Sequence, residues 1–285
     1  MSQRIGIVGT GILGRGVAER LLARDLALAV YDPRREALAG LAERGALVCA
    51  SNRELAGHCD RVCVWVQNDE QCQRAVAGED GLLAGLAPGA AIAIHSTVHP
   101  RTVRELFELC AARSVALIDA PVAGQGVRSL ERGDFWMLAG GDEPAIERFR
   151  AIAESFCSRV LVCGPLGSGA VLKLAHNVAT YLGYLAAIEA QALARAAGVR
   201  PGLLEAVTQA SGTLSPAMQL MLETREQRLG RDANAFGDAQ MRTYAEILEK
   251  DLRVALEVAN EHGLELPGAA LASQRARFLY ALGRE

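Results

Sequence analysis

Residues 6–22 read GIVGTGILGRGVAERLL, and they decide the fold because a glycine-rich turn joins a short apolar strand to an amphipathic helix. In the spacing Gly-x-Gly-x-x-Gly, Gly9 permits the tight turn, Gly11 removes the Cβ that would block a pyrophosphate, and Gly14 lets the helix pack on the strand. The helix N-terminus would then present its amides and its positive dipole end to the phosphates. We therefore expect a dinucleotide-binding unit at the start of the chain.

The second predicted strand, LALAVYD, ends in Asp32, and Arg34 and Arg35 follow it closely. A carboxylate at this place accepts hydrogen bonds from the adenosine ribose hydroxyls and repels a 2′-phosphate. Arg34 and Arg35 could instead hold such a phosphate, or they could simply begin a solvated helix. The sequence therefore favours NAD as the cofactor and leaves NADP possible.

Short apolar runs alternate with amphipathic segments of helical length over the first 165 residues. The runs that predict strands are RIGIVG, LALAVYD, ALVCA, RVCVWVQ, AIAIHS, VALIDA, FWMLAG and RVLVCG, and the clearest helical segments are GRGVAERLLARD and PRTVRELFELCAARS. Runs that are apolar nearly throughout are typical of buried parallel strands, and this alternation predicts a parallel sheet covered on both faces. The predicted fold class is therefore α/β, with a Rossmann-type doubly wound domain over residues 1–165.

The pattern changes after Gly164 and Pro165, because from Ser168 onward we find helical periodicity and no convincing strand. A largely buried helix of about 30 residues, roughly 45 Å long, opens this part of the chain. Later helices are expected near 201–211, 215–229, 238–262 and 268–283, with Pro201, Pro216 and Pro267 at helix starts. We therefore predict an all-α domain over residues 166–285, linked to the first domain by a long interdomain helix.

The charge balance argues against nucleic-acid and membrane partners. The chain of 285 residues carries 30 Lys and Arg against 33 Asp and Glu, for a net charge of −3, and its basic residues are scattered. Nucleic-acid binding normally needs a basic stripe. The longest apolar stretch carries Lys173, Glu189 and Arg195, which a membrane span would not tolerate.

The seven cysteines stand at irregular spacings, and no signal-peptide pattern precedes the first strand. Both features predict reduced thiols in a cytoplasmic protein. His58, Cys59 and Cys63 lie close together but lack a second ligand pair with zinc spacing, so no metal is expected.

Lys173 and Asn177 lie four residues apart in GSGAVLKLAHN, which puts an amine and an amide on one helix face. Alcohol oxidation needs a base to accept the hydroxyl proton as hydride leaves the carbon, and burial disfavours the charged form of a lysine. The alternative is that Lys173 pairs with a carboxylate and only fixes the helix. His176 either touches a substrate or is a hydrogen-bonded core histidine.

Two further segments could contact a ligand. In DAPVAGQGVRSLERGD, residues 119–134, Gly124 and Gly126 would expose backbone amides that could bind a small carboxylate, although the loop could equally be a plain turn. Ser96 ends a predicted strand at the carboxyl edge of the sheet, where ligands bind in open α/β folds. Its alternative role is to cap the helix that begins at Pro100.

Four ordered motifs resemble those of the β-hydroxyacid dehydrogenase family, which includes 3-hydroxyisobutyrate dehydrogenase and tartronate semialdehyde reductase. GTGILG resembles the cofactor signature, DAPVAGQGVRSLERG the substrate signature, GSGAVLKLAHN the catalytic signature GxGxxxKxxxN, and KDLRVALEVANEHGLELP the cofactor-facing helix. The resemblance covers nearly the whole chain, and it implies Lys173 as the catalytic residue, Asn177 as a substrate ligand and Lys250 beside the nicotinamide. The cofactor-binding residues then expected are Gly9, Gly11, Ile12, Leu13, Gly14, Asp32, Gln67, Asn68, Ser96 and Lys250.

The same resemblance implies a homodimer or homotetramer that acts on small 3-hydroxy acids or the matching semialdehydes, with hydride passing to or from the nicotinamide. The substrate signature departs from the family, which has serine at Ala123, glycine at Gln125 and Gly-Ala at Arg128 and Ser129. The family serine helps to hold the substrate carboxylate, so either the substrate is atypical or Gln125 and Arg128 compensate. The substrate-binding residues then expected are Ala123, Gly124, Gln125 and Asn177. A nucleotide-binding regulator or scaffold without turnover is the alternative function.

Overall fold

The computed structural model of the chain describes residues 4–230 and 237–282. Its strands are β1 Arg4–Val8, β2 Leu28–Tyr31, β3 Leu47–Val48, β4 Cys59–Val64, β5 Ala91–Ile94, β6 Ala116–Asp119, β7 Val122–Ala123, β8 Phe135–Gly140 and β9 Cys157–Gly164. Its α-helices are α1 Ile12–Leu22, α2 Asn52–Ala56, α3 Asp69–Ala77, α4 Pro100–Ala111, α5 Val127–Arg132, α6 Glu143–Ala153, α7 Ser168–Ala196, α8 Leu203–Ala210, α9 Pro216–Gly230, α10 Asp238–Glu261, α11 Pro267–Gln274 and α12 Ala276–Leu279. Two short 3₁₀ helices occupy Arg35–Leu38 and Leu82–Ala84.

The strands of the described residues form one sheet in the order β3-β2-β1-β4-β5-β6-β8-β7, with β9 paired to β8. Strands β1 to β6 run parallel to one another. This order places a topological switch point between β1 and β4, and doubly wound folds bind their ligands beyond the carboxyl ends of the strands at such a point. The predicted Rossmann-type doubly wound fold is confirmed.

The far end of the sheet differs from the predicted parallel arrangement. Strand β8 pairs antiparallel with β6, through Asp119 and Gly140, and antiparallel with β7. A parallel neighbour needs a crossover of a dozen or more residues, and only residues 124–134, which include the six-residue helix α5, connect β7 to β8. The chain therefore turns back antiparallel, and α6 then supplies the crossover that sets β9 parallel to β8.

Alternate residues of the central strands face two hydrophobic cores. Ile7 and Ala93 lie in one core with side chains of α1 and α6, whereas Val8 and Ile94 lie in the other with side chains of α3 and α4. Because side chains of a strand alternate between its two faces, both faces of the sheet are buried. This confirms the expectation that helices cover the sheet on both sides.

The density of internal contacts divides the chain into two units, Met1–Lys173 and Leu174–Glu285. This division falls inside α7, which runs from Ser168 to Ala196 as one helix of 29 residues. The boundary predicted between residues 165 and 166 stays a prediction. The second unit has its own core, in which Ile188, Leu248, Leu252 and Leu279 are among the buried members.

The helices of the second unit follow the predicted segments with two differences. Pro216 and Pro267 are the first residues of α9 and α11, as predicted. Pro201 does not start α8, because Gly202 takes a left-handed φ of 85° and the helix begins at Leu203. The single helix predicted over 268–283 is broken at Arg275 into α11 and α12, and its last residue lies outside the described residues.

The cysteines are free thiols, and all but Cys163 are buried. In the described ranges 4–230 and 237–282, no helix is long and apolar enough to cross a membrane. The same residues contain no group of three or more His, Cys, Asp or Glu side chains that could hold a metal ion.

Candidate functional site

The turn after β1 is packed so closely that it requires two of its glycines. Gly9 has a φ of +85°, and a Cβ on it would lie 2.4 Å from the carbonyl oxygen of Trp65. A Cβ on Gly14 would lie 2.0 Å from the carbonyl oxygen of Gly9. Both distances are far below van der Waals contact, so the chain's own backbone explains Gly9 and Gly14.

Gly11 has no comparable packing reason. A Cβ on it would meet only the Arg34 guanidinium, at 3.9 Å, which is ordinary contact. Gly11 is the N-cap of α1, and within the described residues no side chain caps this helix and no acid stands in its first turn. An uncapped helix N-terminus beside an open backbone fits a pyrophosphate, since its amides need an acceptor and its dipole favours an anion.

Asp32 follows β2 and lies buried beside this turn. Its carboxylate accepts hydrogen bonds from the amide of Thr10 at 2.9 Å, from the amide of Arg34 at 2.9 Å and from the Arg34 guanidinium at 3.1 and 3.2 Å. Burial raises the pKa of Asp32, but the bonds from Arg34 and Thr10 outweigh it, and the pKa lies below 3.8. Asp32 and Arg34 thus form one ion pair where a nucleotide ribose is recognised in this fold.

Gln67 and Asn68 follow β4 and organise the start of α3. Asn68 is the N-cap of α3, and its Oδ1 accepts the amide of Gln71 at 2.9 Å. The side chain of Gln71 in turn accepts the amide of Gln67 at 2.9 Å. This reciprocal cap fixes the backbone of both predicted cofactor-binding residues at the edge of the sheet that carries the glycine turn.

Ser96 follows β5 and joins two strand ends. Its Oγ accepts the amide of Val66 at 2.8 Å, so it connects the loop after β5 to the loop after β4. The alternative role of Ser96 as a helix cap is wrong, because His99 is the N-cap of α4 and its Nδ1 accepts the amide of Arg101 at 3.0 Å.

The segment after β6 is more ordered than a plain turn, since β7 and α5 lie within it. Ala123 ends β7, and a Cβ on the next residue, Gly124, would lie 2.7 Å from the Ser129 hydroxyl oxygen. The Gln125 amide donates to the same oxygen at 2.9 Å, and the Gln125 side-chain oxygen accepts from Arg132 at 3.2 Å. The exposed backbone at Gly124 is therefore held from one side by α5.

Lys173 and Asn177 both lie in α7, one turn apart on the same face. Lys173 is partly buried and Asn177 is buried. The expectation of a largely buried segment is wrong in this region, because Leu172 is 39% exposed. His176 is also exposed, so it is not a core histidine.

Sequence reasoning assigned no role to Asp251 and Tyr181, which fix the orientation of Asn177. The Asn177 side-chain nitrogen donates to Asp251 Oδ2 at 2.7 Å, and the Tyr181 hydroxyl donates to the same oxygen at 3.1 Å. Lys250 Nζ lies 2.6 Å from Asp251 Oδ1. Burial, and then the negative charge of Asp251, raise the pKa of Tyr181 well above 10, so its hydroxyl stays a donor. The signal in the sequence was an acid at a core position of the motif KDLRVALEVA.

His95 is a buried polar group that sequence reasoning also passed over. Its Nδ1 lies 2.7 Å from the carbonyl oxygen of Ala120, and its ring stacks on Trp65 with centroids 4.3 Å apart. Burial lowers the pKa of His95 to about 4, although the hydrogen bond to Ala120 opposes this shift. His95 is therefore neutral at pH 7 and supports the backbone that leads from β6 into the loop at Gly124.

Gly11 and Gly14 are expected to respond in opposite ways to substitution by alanine. Gly11→Ala is expected to leave the free energy of unfolding within about 0.5 kcal/mol of the parent, because the added methyl meets no backbone. It should weaken NADH binding at least about tenfold, since the methyl would occupy the place of a phosphate. Gly14→Ala should cost about 1–3 kcal/mol of stability through overpacking. Denaturant unfolding and NADH titration measure both, and unchanged NADH affinity in Gly11→Ala would contradict this assignment.

The buried, neutral His95 is expected to make the folded chain less stable in acid. Its pKa is about 4 in the folded chain and 6.5 when unperturbed. The contribution of neutral His95 to the free energy of unfolding is complete above pH 6.5. It decreases as the pH falls towards 4, because the unfolded chain then binds a proton that the folded chain does not. We expect the stability difference between the parent and His95→Gln to shrink by about 3 kcal/mol between pH 7 and pH 4. Urea unfolding at several pH values tests this, and a pH-independent difference would refute it.

Comparisons with known proteins cover nearly the whole chain. A family model described as the NAD binding domain of 6-phosphogluconate dehydrogenase matches residues 4–164, and one described as NAD-binding of NADP-dependent 3-hydroxyisobutyrate dehydrogenase matches residues 167–284. An uncharacterized oxidoreductase of Mycobacterium tuberculosis is 32% identical over 272 residues, which is 95% of this chain and 91% of that protein. L-threonate dehydrogenase of Cupriavidus necator is 30% identical over 276 residues, 96% of this chain and 89% of that enzyme. The crystal structure of 3-hydroxyisobutyrate dehydrogenase from Salmonella typhimurium has a TM-score of 0.82 at 27% identity, covering 97% of this chain and 94% of that one.

These matches agree with the four sequence motifs and with the observed fold. The first family model covers the sheet with its glycine turn, and the second covers the helices that carry Lys173, Asn177 and Lys250. The chain belongs to the NAD(P)-dependent β-hydroxyacid dehydrogenases, as a 3-hydroxyisobutyrate dehydrogenase-like oxidoreductase that acts on hydroxyl groups.

Proposed function

We propose that the chain transfers hydride between NAD and a small 3-hydroxy acid, or the matching semialdehyde, with Lys173 as the general acid and base. One observation carries the proposal: the sequence has 30 Lys and Arg residues, and only Lys173 and Lys250 are lysines. Arginine stays protonated at every accessible pH, whereas lysine can release its proton when its surroundings disfavour the charge. Both lysine side chains therefore stand in motifs that resemble the family's catalytic signature and cofactor-facing helix.

The cofactor would be held at the carboxyl edge of the sheet. Gly11 and the uncapped start of α1 would receive the pyrophosphate, and Asp32 would accept the ribose hydroxyls. When bound, the nicotinamide would supply or receive the hydride. We favour NAD because the hydrogen bonds that Asp32 accepts keep it ionised, and its charge opposes a 2′-phosphate.

Lys173 would move the proton at the substrate oxygen. In oxidation the neutral amine takes the hydroxyl proton, and in reduction the ammonium returns a proton to the carbonyl oxygen. Asn177 would orient that oxygen by donating the second N–H of its side-chain amide, since the first already donates to Asp251. Orientation by a fixed group lowers the entropy cost of reaching the reactive geometry.

The proposed substrate class rests on the loop at Gly124 and on the relatives. L-threonate and 3-hydroxyisobutyrate, which name two of the similar proteins, each carry a hydroxyl and a carboxylate. Ala123 offers no hydroxyl for the carboxylate, and Gln125 is held by Ser129 and Arg132. We therefore propose that the backbone at Gly124, together with the side chain of Arg128, receives the acid group.

We also propose that the enzyme works in the cytoplasm as a homo-oligomer. The free thiols are typical of a reducing compartment. Leu193 of α7 and Val207 of α8 are 72% and 66% exposed in the single chain, and a second copy would cover them. Sedimentation at micromolar concentration should give at least twice the chain mass of 30.2 kDa, and a monomer would contradict the assembly.

Replacement of Lys173 by arginine is the decisive variant. Lys173→Arg keeps the charge and cannot give up a proton, so kcat should fall at least about 10³-fold while NADH affinity changes less than about threefold. Lys173→Met should be equally inactive and fully folded. Activity is measured against a panel of hydroxy acids and semialdehydes with NAD and with NADP.

Arg128→Gln is the control for the loss of a cation in Lys173→Met, and it should raise KM for the acid with little effect on kcat. Near-normal turnover by Lys173→Arg would eliminate the acid–base role. If the parent binds NADH but oxidises or reduces no member of the panel, the proposed substrate class is wrong.

A further inference from the structure

Asp119 is a buried carboxylate that the proposed chemistry does not use. It is the last residue of β6 and only 1% exposed. Its Oδ1 accepts the amide of Gly167 at 2.7 Å, and its Oδ2 accepts the amide of Ala170 at 2.7 Å. These two amides belong to the start of α7 and lie 48 and 51 residues further along the chain.

Two glycines beside Asp119 leave room for its carboxylate. A Cβ on Gly140 would lie 2.5 Å from Asp119 Oδ1, and a Cβ on Gly169 would lie 2.9 Å from Asp119 Oδ2 and 2.2 Å from the carbonyl oxygen of Leu138. Gly167 has a φ of +92°, which glycine adopts without strain. The segment Gly-Ser-Gly before Lys173 therefore has the shape that docking on Asp119 requires.

The Asp119 carboxylate connects two segments, the loop at Gly124 and the start of α7, whose separation must stay fixed for the proposed hydride transfer. Asp119 is the first residue of DAPVAGQ, which leads to the loop at Gly124. Ala170, whose amide donates to Asp119, stands one turn before Lys173 on the same helix. A carboxylate at a helix N-terminus also accepts hydrogen bonds from amides that have no partner within the helix. Its negative charge interacts favourably with the positive end of the helix dipole. The start of α7 is thus fixed to β6, the strand that leads into the loop at Gly124.

We propose that Asp119 is a positioning residue that sets the place of the Lys173 amine by fixing the first turn of α7 to the end of β6. The role in turnover rests on the proposed function of Lys173. A shift of about 1 Å at a catalytic group costs on the order of 10²-fold in rate, so a loosened helix start should be visible in kcat.

Asp119→Asn tests the link with a minimal change in volume. Its single oxygen can accept one of the two amides, while its NH₂ group faces the other donor. Asp142→Asn is the matched control, because Asp142 is the exposed N-cap of α6 and makes no side-chain cap bond in the described residues. NADH titration counts the folded sites in each protein, so that kcat refers to folded enzyme.

Three measurements decide the outcome for Asp119→Asn. Amide exchange should accelerate over residues 167–171 and stay unchanged in α4 and α6. After reductive ¹³C-methylation of each variant, the Lys173 signal should shift while the Lys250 signal does not, and the chain has no other lysine. In unmethylated enzyme, kcat per site should fall about 10- to 100-fold with NADH affinity within about twofold. The control variant should match the parent in all three.

Unchanged exchange or an unmoved Lys173 signal overturns the proposal, whether or not any substrate is found. Faster exchange with kcat intact reduces Asp119 to a helix cap and also overturns it. If the parent turns over nothing in the panel, the proposed function fails alone, and the exchange and methyl signals still decide the role of Asp119. Should Asp119→Asn not fold, Asp119→Glu keeps the charge and displaces it by one methylene, and wild-type kcat in that variant would refute the positioning role.

Discussion

The close approach of backbone to backbone at the turn after β1 is the constraint on which the nucleotide-binding half depends. Gly9 and Gly14 leave no room for a Cβ, because the turn, the start of α1 and the end of β4 occupy the same small space. The amide of Gly9 donates to Tyr31 in β2, and the amide of Trp65 donates to Val8 in β1. These bonds continue the ladder past the strand ends and bring the loops at the switch point together. Gly11 has an open side, so packing within the chain does not account for the third glycine of this turn.

The sequence predicts those parts of the fold that arise from local patterns. Apolar runs predict the strands, and the spacing of glycines predicts the βα turn, because each is determined within a few neighbouring residues. The antiparallel return at β8 was not predictable in this way, since strand direction follows from the length of the connection and not from the strand's own residues. The short elements β7 and α5 carry too few residues to show a period.

The same distinction between local patterns and distant contacts applies to the candidate site. Lys173, Asn177 and Lys250 stand in motifs that resemble a family, so their positions could be named from the sequence. Two buried acids bond to this part of the chain across 48 and 74 residues, Asp119 to the Gly167 amide and Asp251 to the Asn177 side chain. A single sequence contains no signal for which buried acid meets which distant amide. A buried carboxylate is nevertheless costly without partners, so such acids in apolar elements indicate a bond still to be found.

The burial of the cysteines has a consequence for the chemical durability of the enzyme. Desolvation raises the pKa of Cys59 and of Cys63 to about 12, and it raises that of Cys49 to about 11. Since the thiolate is the form that reacts with peroxides and alkylating agents, these side chains are almost entirely in the inert form at neutral pH. These buried cysteines therefore resist oxidation while the chain stays folded. The buried thiols become targets only when the sheet opens, so their oxidation would affect molecules that have already unfolded.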